Sequence, residues 1–253
     1  MNSSKKQKAL HAMHTDEAIQ QRIASEKRAS PLGDFILGAV DGTVTTFAIV
    51  AGAAGAGFSG AVAIVLGLAN IVADSFSMAA SNYLKAKSDQ QILARFRRME
   101  EMHIDKVPDY EREEIRQIFA AKGFDGDILE DVVRVITADR KRWVDTMLVE
   151  EWGLHLEQAP PLRAATATFF GFAVAGLIPL LPLFFVSALS TSRLVFLVST
   201  ILTGITFFVI GLIRGWASEQ KPLRAAFETL AIGGAAAAMA YLVGGLFQEV
   251  SFD

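Results

Sequence analysis

No cysteine occurs in this chain, so disulfides, thiolate metal sites and cysteine nucleophiles are excluded. Strand-like alternation of apolar and polar residues is missing too, which leaves an all-α fold. Charge is scarce in five long stretches, near 35–57, 61–83, 164–188, 194–213 and 225–247. Each approaches or exceeds the ~20 residues that cross a bilayer as a helix. Together they raise the hydrophobic content to 52% and the mean hydropathy to +0.35. The most informative absence lies inside the first stretch, which holds no Lys or Arg although Asp41 stands in its middle. A carboxylate at that depth costs roughly 2.5–3.5 kcal/mol unless something neutralises it. A proton, a cation or a polar group of another helix must serve, so the chain is expected to handle something positive in a bilayer.

The remaining charge is segregated, so the net −3 says little about partners, and no nucleic-acid partner is expected. Basic residues near span ends set the orientation. Lys5, Lys6, Lys8, Arg22, Lys27 and Arg28 precede the first span, and Lys85, Lys87, Arg95, Arg97 and Arg98 follow the second. Arg214, Lys221 and Arg224 join the fourth span to the fifth, whereas the turn at 51–60 is uncharged, the turn between spans three and four has only Arg193, and the tail has no basic residue. The N-terminus and the large middle segment are therefore expected in the cytoplasm, with the C-terminus on the far side. The domain plan that follows is a cytoplasmic arm at 1–30, two transmembrane helices at 31–83, a cytoplasmic helical domain at 84–160, three transmembrane helices at 161–248 and a non-cytoplasmic tail at 249–253. The first apolar run follows about 30 polar residues and lacks a clear cleavage site, so it is kept as a span rather than a signal peptide.

Local signals fill in this plan. The arm holds either a short surface helix at 16–28 or a polar tail. No Gly or Pro interrupts the passage from the second span into residues 85–104, so one helix is expected to continue out of the membrane. Pro108 and Asp109 open a helix to about Lys122, with Gly123 as its C′ residue. Asp127 and Glu130 match an acidic capping box for a helix through Ile136, and Thr137 is expected to cap a further helix over 138–152. Ile115, Ile118 and Phe119, with Val132, Val133 and Ile136, recur at helical spacing. Pro179 and Pro182 imply a kink or an early exit in the third span. Gly38 and Gly42 form a GxxxG pair around Asp41, a surface that admits another helix, that of a second protomer included.

Asp34 and Asp41 are seven residues apart and share a helix face, about 10 Å from one another. The second span carries Asn70, Asp74 and Met78 at i, i+4 and i+8, again on one face, followed by Ser81 and Asn82. Counted from cytoplasmic edges near Leu32 and Tyr83, Asp41 and Asp74 each lie about 13 Å deep in antiparallel helices, so they can meet at one level. Met78 and Asp34 fall between that level and the cytoplasmic mouth. Two carboxylates with a thioether form a mixed hard and soft donor set that suits transition metals better than Mg²⁺ or Ca²⁺. The bland alternatives are core or lipid packing for Met78, a protonated structural role for Asp41, an interfacial charge for Asp34 and local hydrogen bonding for Asp74. Glu228 in the fifth span is either a proton carrier or a partner of Arg224 at i−4.

Outside the spans, three groups each occupy one face of a helix: Glu100 with His103, Glu111 with Glu114, and Met147 with Glu150 and Glu151. Converging, they would form a site of carboxylate, imidazole and thioether for Fe²⁺, Mn²⁺, Co²⁺ or Zn²⁺. Otherwise they belong to a solvated, charge-laced surface with Arg97, Arg98, Arg112, Arg116, Arg140, Lys141 and Arg142 interleaved.

These residues resemble the vacuolar iron transporter family. The resemblance covers the chain from about Ser30 onward and rests on Asp34 and Asp41-Gly42, on Ala73-Asp74-Ser75-Phe76-Ser77-Met78 followed by Tyr83-Leu84, on Pro108 with Glu111 and Glu114-Ile115, and on Arg142-Trp143 with Asp145 and Met147. It implies a homodimer of five-span protomers with a cytoplasmic helical metal-binding domain between helices 2 and 3. It implies exchange of Fe²⁺ for protons, with no cofactor and no enzymatic activity, along a pathway at the dimer interface. Carried over by position, the pathway residues are Asp34, Asp41 and Met78, beside Asp74 from the depth count. The metal-binding residues are Glu100, His103, Glu111, Glu114, Met147 and Glu151, beside Glu150 from spacing. The host membrane is the vacuolar membrane in a eukaryote and the plasma (inner) membrane in a bacterium. Two positions depart from the family pattern: His103 stands where a Glu is expected, and Leu148 where plant members carry a carboxylate. A membrane-anchored di-iron ferroxidase is the rival reading, but the Glu-x-x-His element that such bundles carry twice occurs once, since Glu151 and His155 are four residues apart. A metal-buffering or sensing protein is a third reading.

Overall fold

Between Gly67 and Pro108 the sequence has neither glycine nor proline, and one helix runs through the whole of that stretch. A computed structural model describes residues 7, 11–24, 30–186 and 192–247, and every regular element among them is helical. In chain order these are α1 (Asp16–Ala24), α2 (Leu32–Gly55), α3 (Gly60–Lys106), α4 (Pro108–Ala121), α5 (Gly126–Thr137), α6 (Arg140–Glu150) and α7 (Pro161–Leu177). A 3₁₀ turn (Ile178–Leu180), α8 (Leu181–Val186), α9 (Ser192–Ala217) and α10 (Pro222–Phe247) complete the set. Five segments are long and apolar enough to cross a membrane: Leu32–Gly55, Gly60–Lys106, Pro161–Phe185, Leu194–Ala217 and Pro222–Leu246. The tail at 249–253, all four of the arm's lysines and the last part of the helix expected at 16–28 lie outside the described residues.

α3 is 47 residues long. At 1.5 Å per residue it extends about 70 Å, more than twice the ~30 Å hydrocarbon thickness. Its C-terminal half therefore leaves the apolar bundle and carries α4 and α6 against it, with α5 packed on those two. Pro108 ends the helix because the residue before a proline is pushed out of the α region, and Val107 sits at φ −138° and ψ 49°. The helical unit that follows has its own core of Ile104, Ile115, Val133, Ile136, Trp143, Val144, Met147 and Leu148, with Ile118, Phe119 and Val132 packed against it. All six apolar positions picked out by helical spacing are used.

Two helix starts differ from expectation. Thr137 closes α5 rather than capping the next helix, and Asp139 takes that role by accepting a hydrogen bond from Arg142 N at 2.7 Å. α5 itself opens at Gly126, whose φ of +52° suits glycine, one residue ahead of Asp127, and no side chain caps it. The expected break in the third span is present as the 3₁₀ turn containing Pro179, between α7 and α8.

The GxxxG face admits another helix, and that helix belongs to the same chain. A Cβ on Gly38 would collide with the backbone of Thr168 and Phe172, and one on Gly42 with Phe172, so α2 lies backbone to backbone against α7 of the same chain. Gly171 answers from the other side, where a Cβ would strike Phe35 and Ala39. The close approach is intramolecular because α7 supplies its own small residue at the crossing. Gly42→Ala is accordingly expected to destabilise the detergent-solubilised protein by about 1–3 kcal/mol or more. Gly234→Ala, where a Cβ meets open space, is expected to be neutral or to gain up to about 1 kcal/mol of helix propensity. Thermal unfolding of the two variants side by side tests this. Equal melting temperatures would contradict the packing argument.

Candidate functional site

The end of α3, the first turns of α4 and the end of α6 meet at one place. Glu100 and His103, one turn apart on α3, face Glu111 on α4, and each offers a ligand atom within 4.8 Å of the others. The short turn at Val107 folds α4 back so that the two faces meet. Glu100 and Glu111 are almost completely buried, at 1% and 2% exposure. His103 Nδ1 lies 3.2 Å from Glu111 Oε1, and Trp152 Nε1 donates to Glu100 Oε1 at 2.9 Å. The second oxygens, Glu100 Oε2 and Glu111 Oε2, are buried with no hydrogen-bond partner. Buried, unpaired carboxylate oxygens are costly, and the natural occupants of such a gap are a proton or a metal cation.

Five of the cations interleaved with this cluster are engaged elsewhere. Arg97 and Lys141 both bind Asp145, at 2.6 Å each. Arg116 joins Glu113 and Glu130 and so ties α4 to α5. Arg140 reaches Asp105 at 2.6 Å and the Glu101 carbonyl at 2.9 Å. Arg112 pairs with Asp109 and lies over the Trp143 ring. The charge-laced surface read from the sequence is thus real, but it surrounds the cluster rather than dissolving it. Glu114 and Glu151 are close enough for their charges to act on Glu111. Burial, then the charges of Glu114 and Glu100, push the Glu111 carboxyl up to about 8. Partial burial of its carboxyl, then Glu100 and Glu114, push Glu151 up to about 7.

Two expected ligands are placed differently. Glu150 is drawn into an ion pair with Lys122 at 2.6 Å. Met147 is fully buried in the apolar core of the helical unit, at 0% exposure. Leu148 shares that core at 0% exposure.

The raised carboxyl has a consequence for stability. In the unfolded chain Glu111 titrates near 4.5 and in the folded protein near 8, so between those values the folded state holds a proton that the unfolded state has lost. Stability of the metal-free protein is therefore expected to be greatest below about pH 4.5 as far as this group is concerned, and to fall as pH rises through the window to about 8. Melting curves across that range test it. A metal-free protein that gains stability between pH 5 and 8, with the gain unchanged in Glu111→Gln, would refute it.

Within the apolar bundle, Asp41 and Met78 line one open cavity of about 1180 Å³, walled by Ile36, Val40 and Val44 of α2, Arg214 and Trp216 of α9 and Ile232 of α10. Met78 also touches the apolar core of the bundle. Asp74 lies near enough to Asp41 for their charges to interact. Arg214 reaches the same cavity but is bound to Glu228 at 2.8 Å, and Arg224 holds the other Glu228 oxygen at 3.1 Å. Glu228 is thus an interfacial ion-pair partner. Among the described residues no Lys or Arg pairs with Asp41. Asp34 is fixed differently, accepting from Asn82 Nδ2 at 2.8 Å, while the same amide reaches Thr168 Oγ1 at 2.7 Å. Asn70 donates to Thr45, whose hydroxyl donates to the Asp41 carbonyl.

Asn82 and Trp152 are the polar contacts that sequence reasoning did not assign. Asn82 was discoverable by depth, since it stands one residue inside Tyr83 while Asp34 stands two inside Leu32, at the same rim of antiparallel helices. Trp152 gave no such signal, because its partner is 52 residues away on another helix.

A profile of the VIT family matches residues 32–245. The chain is 33% identical over 211 residues to vacuolar iron transporter 1 of Eucalyptus grandis, covering 82% of this chain and 83% of that one. It is 33% identical over 219 residues to vacuolar iron transporter 1 of Arabidopsis thaliana, covering 85% and 86%. With the vacuolar iron transporter of Toxoplasma gondii the identity is 31% over 222 residues, covering 85% and 74%.

Proposed function

This chain belongs to the VIT family, and from that membership and the two acid sites we propose that it moves Fe²⁺ out of the cytosol in exchange for protons, with Mn²⁺ and other divalent transition metals as further cargo. It is a multi-pass membrane transporter rather than an enzyme. Metal is the cargo, not a resident cofactor. The single observation that carries the mechanism is the Asp41–Met78 cavity, in which a carboxylate without a basic partner and a thioether open on the same space inside the apolar bundle.

In this reading the helical unit spanning 84–160 is cytoplasmic, as are the arm and the N-terminus, and the C-terminus lies beyond the membrane. The host membrane is the vacuolar membrane in a eukaryote and the plasma membrane in a bacterium. Glu100, His103 and Glu111 take the ion first, with Glu114 and Glu151 adding negative field. Two carboxylates and an imidazole fit Fe²⁺, Mn²⁺, Co²⁺ or Zn²⁺, and the imidazole of His103 leaves the site less negative than a third carboxylate would. The ion then passes the Asp34 rim and Met78 to Asp41 and Asp74. Protonation of Asp41 from the far side releases it, so one carboxylate serves two competing cations. The cavity is open on one flank, and a second protomer set against it would complete the pathway and bring two Asp41 residues together. Their titration would then be a joint one.

The deciding experiment is Fe²⁺ uptake into proteoliposomes under an imposed pH gradient. Uptake that collapses with the gradient supports exchange. Metal binding with no flux would replace the transport reading with a metal-buffering or sensing role.

A further inference from the structure

Trp152 stands two residues past the end of α6, after the C-cap Glu151, and Gly153, at φ +62°, turns the chain away immediately after it. Its indole packs on Phe96 with ring centroids 4.5 Å apart. Phe96 lies one helical turn before Glu100 on α3, so the ring resting on the one carries its N–H to the carboxylate of the other, at 2.9 Å. Indole nitrogen is a donor only and has no second use for that hydrogen. The contact occupies Glu100 Oε1 and leaves Oε2, buried and unpartnered, as the oxygen available to a cation.

We infer that Trp152 is a positioning residue of the cation site, fixing the Glu100 carboxylate through its Nε1–H so that the free oxygen faces His103 and Glu111. The inference rests on the reading of Glu100, His103 and Glu111 as a cation site and assigns a further residue to it. A donor that orients a ligating carboxylate typically contributes 10–100-fold to metal affinity. The geometry also makes Trp152 an optical reporter, because its ring is in hydrogen-bond contact with a ligand of the bound ion. Trp143, at 3% exposure, lies in the core instead, and Trp216 lines the membrane cavity.

The test uses the full-length protein in detergent with Co²⁺ as the probe, followed by calorimetry, by visible Co²⁺ absorption and by tryptophan emission. In the wild type, quenching of emission is expected to track the calorimetric isotherm. Trp152→Phe keeps the ring on Phe96 and removes only the donor. It is expected to weaken Co²⁺ binding about tenfold or more, to change the Co²⁺ absorption envelope and to lose the quenched component, with helicity unchanged by circular dichroism. Trp152→Leu provides the same comparison if the Phe variant loses helicity. Glu100→Gln retains an acceptor for the indole and removes a charged ligand. Weak binding by Glu100→Gln together with wild-type affinity and absorption in Trp152→Phe would overturn the positioning role alone. Wild-type binding by Glu100→Gln, or no Co²⁺ binding by the wild type, would overturn the cation-site reading beneath it.

Discussion

Asp41→Asn is expected to abolish Fe²⁺ flux driven by a pH gradient, by about 100-fold or more, while leaving the protein folded and the helical unit around Glu100 and Glu111 intact. Asn matches Asp in size and keeps one oxygen, so the packing around Gly38, Gly42 and Phe172 is undisturbed. It carries no charge at any pH and therefore cannot alternate between a proton and a metal ion. An ionised carboxylate at that depth is worth roughly 2.5–3.5 kcal/mol of compensating interaction. At about 1.4 kcal/mol per factor of ten, losing it removes about two orders of magnitude of ion occupancy. Initial Fe²⁺ uptake rates in proteoliposomes, with Co²⁺ binding measured on the same preparation, separate the two sites. Wild-type flux by the Asn variant would defeat the exchange mechanism.

Glu111→Ala is expected to act at the other end of the path. It removes a buried carboxyl group from the proposed capture site, and it leaves the membrane cavity untouched. The concentration of Fe²⁺ that half-saturates transport should rise about 10–100-fold, in the range seen when a metal-site contact is lost. The rate at saturating metal should stay near the wild-type value, the pattern of a contact made before the slow step. Full saturation curves on reconstituted protein are the measurement. An unchanged half-saturation would remove Glu111 from metal capture, and a lost maximal rate at any concentration would move it into the translocation step.

How much of this was legible in the sequence varies by residue, and the reasons are physical. The length of α3 was readable because helix breakers are local, and none stands between Gly67 and Pro108. Glu100 with His103, and Glu111 with Glu114, could each be placed on a helix face by spacing. That the first of these faces meets Glu111 depends on the turn at Val107, which no periodicity encodes. Spacing alone also grouped Glu150 with Met147 and Glu151. In the structure Lys122 pairs with Glu150, and Met147 is buried in the apolar core. The GxxxG pair announced a close helix contact but not its partner, and the partner proved to be α7, identified by the complementary Gly171. Capping was misread at Thr137 because Asp139, two residues on, is an equally competent cap, and only the bond to Arg142 N distinguishes them. Asn82 and Trp152 act across 48 and 52 residues of chain, beyond the reach of any local pattern.

The unbroken helix α3 has a mechanical meaning. Met78 and Glu100 sit on the same rod, 22 residues apart, or about 33 Å at 1.5 Å per residue. Without a hinge along that length, a 5° tilt of the rod at the depth of the cavity swings its outer end by about 3 Å, comparable with the gap between facing ligand atoms. Rearrangement around Asp41 would thus be felt as a lever stroke at Glu100 and His103, and α4, packed on the same rod, would be carried along with Glu111. The helical unit as a whole would be geared to events in the membrane by a single stiff arm.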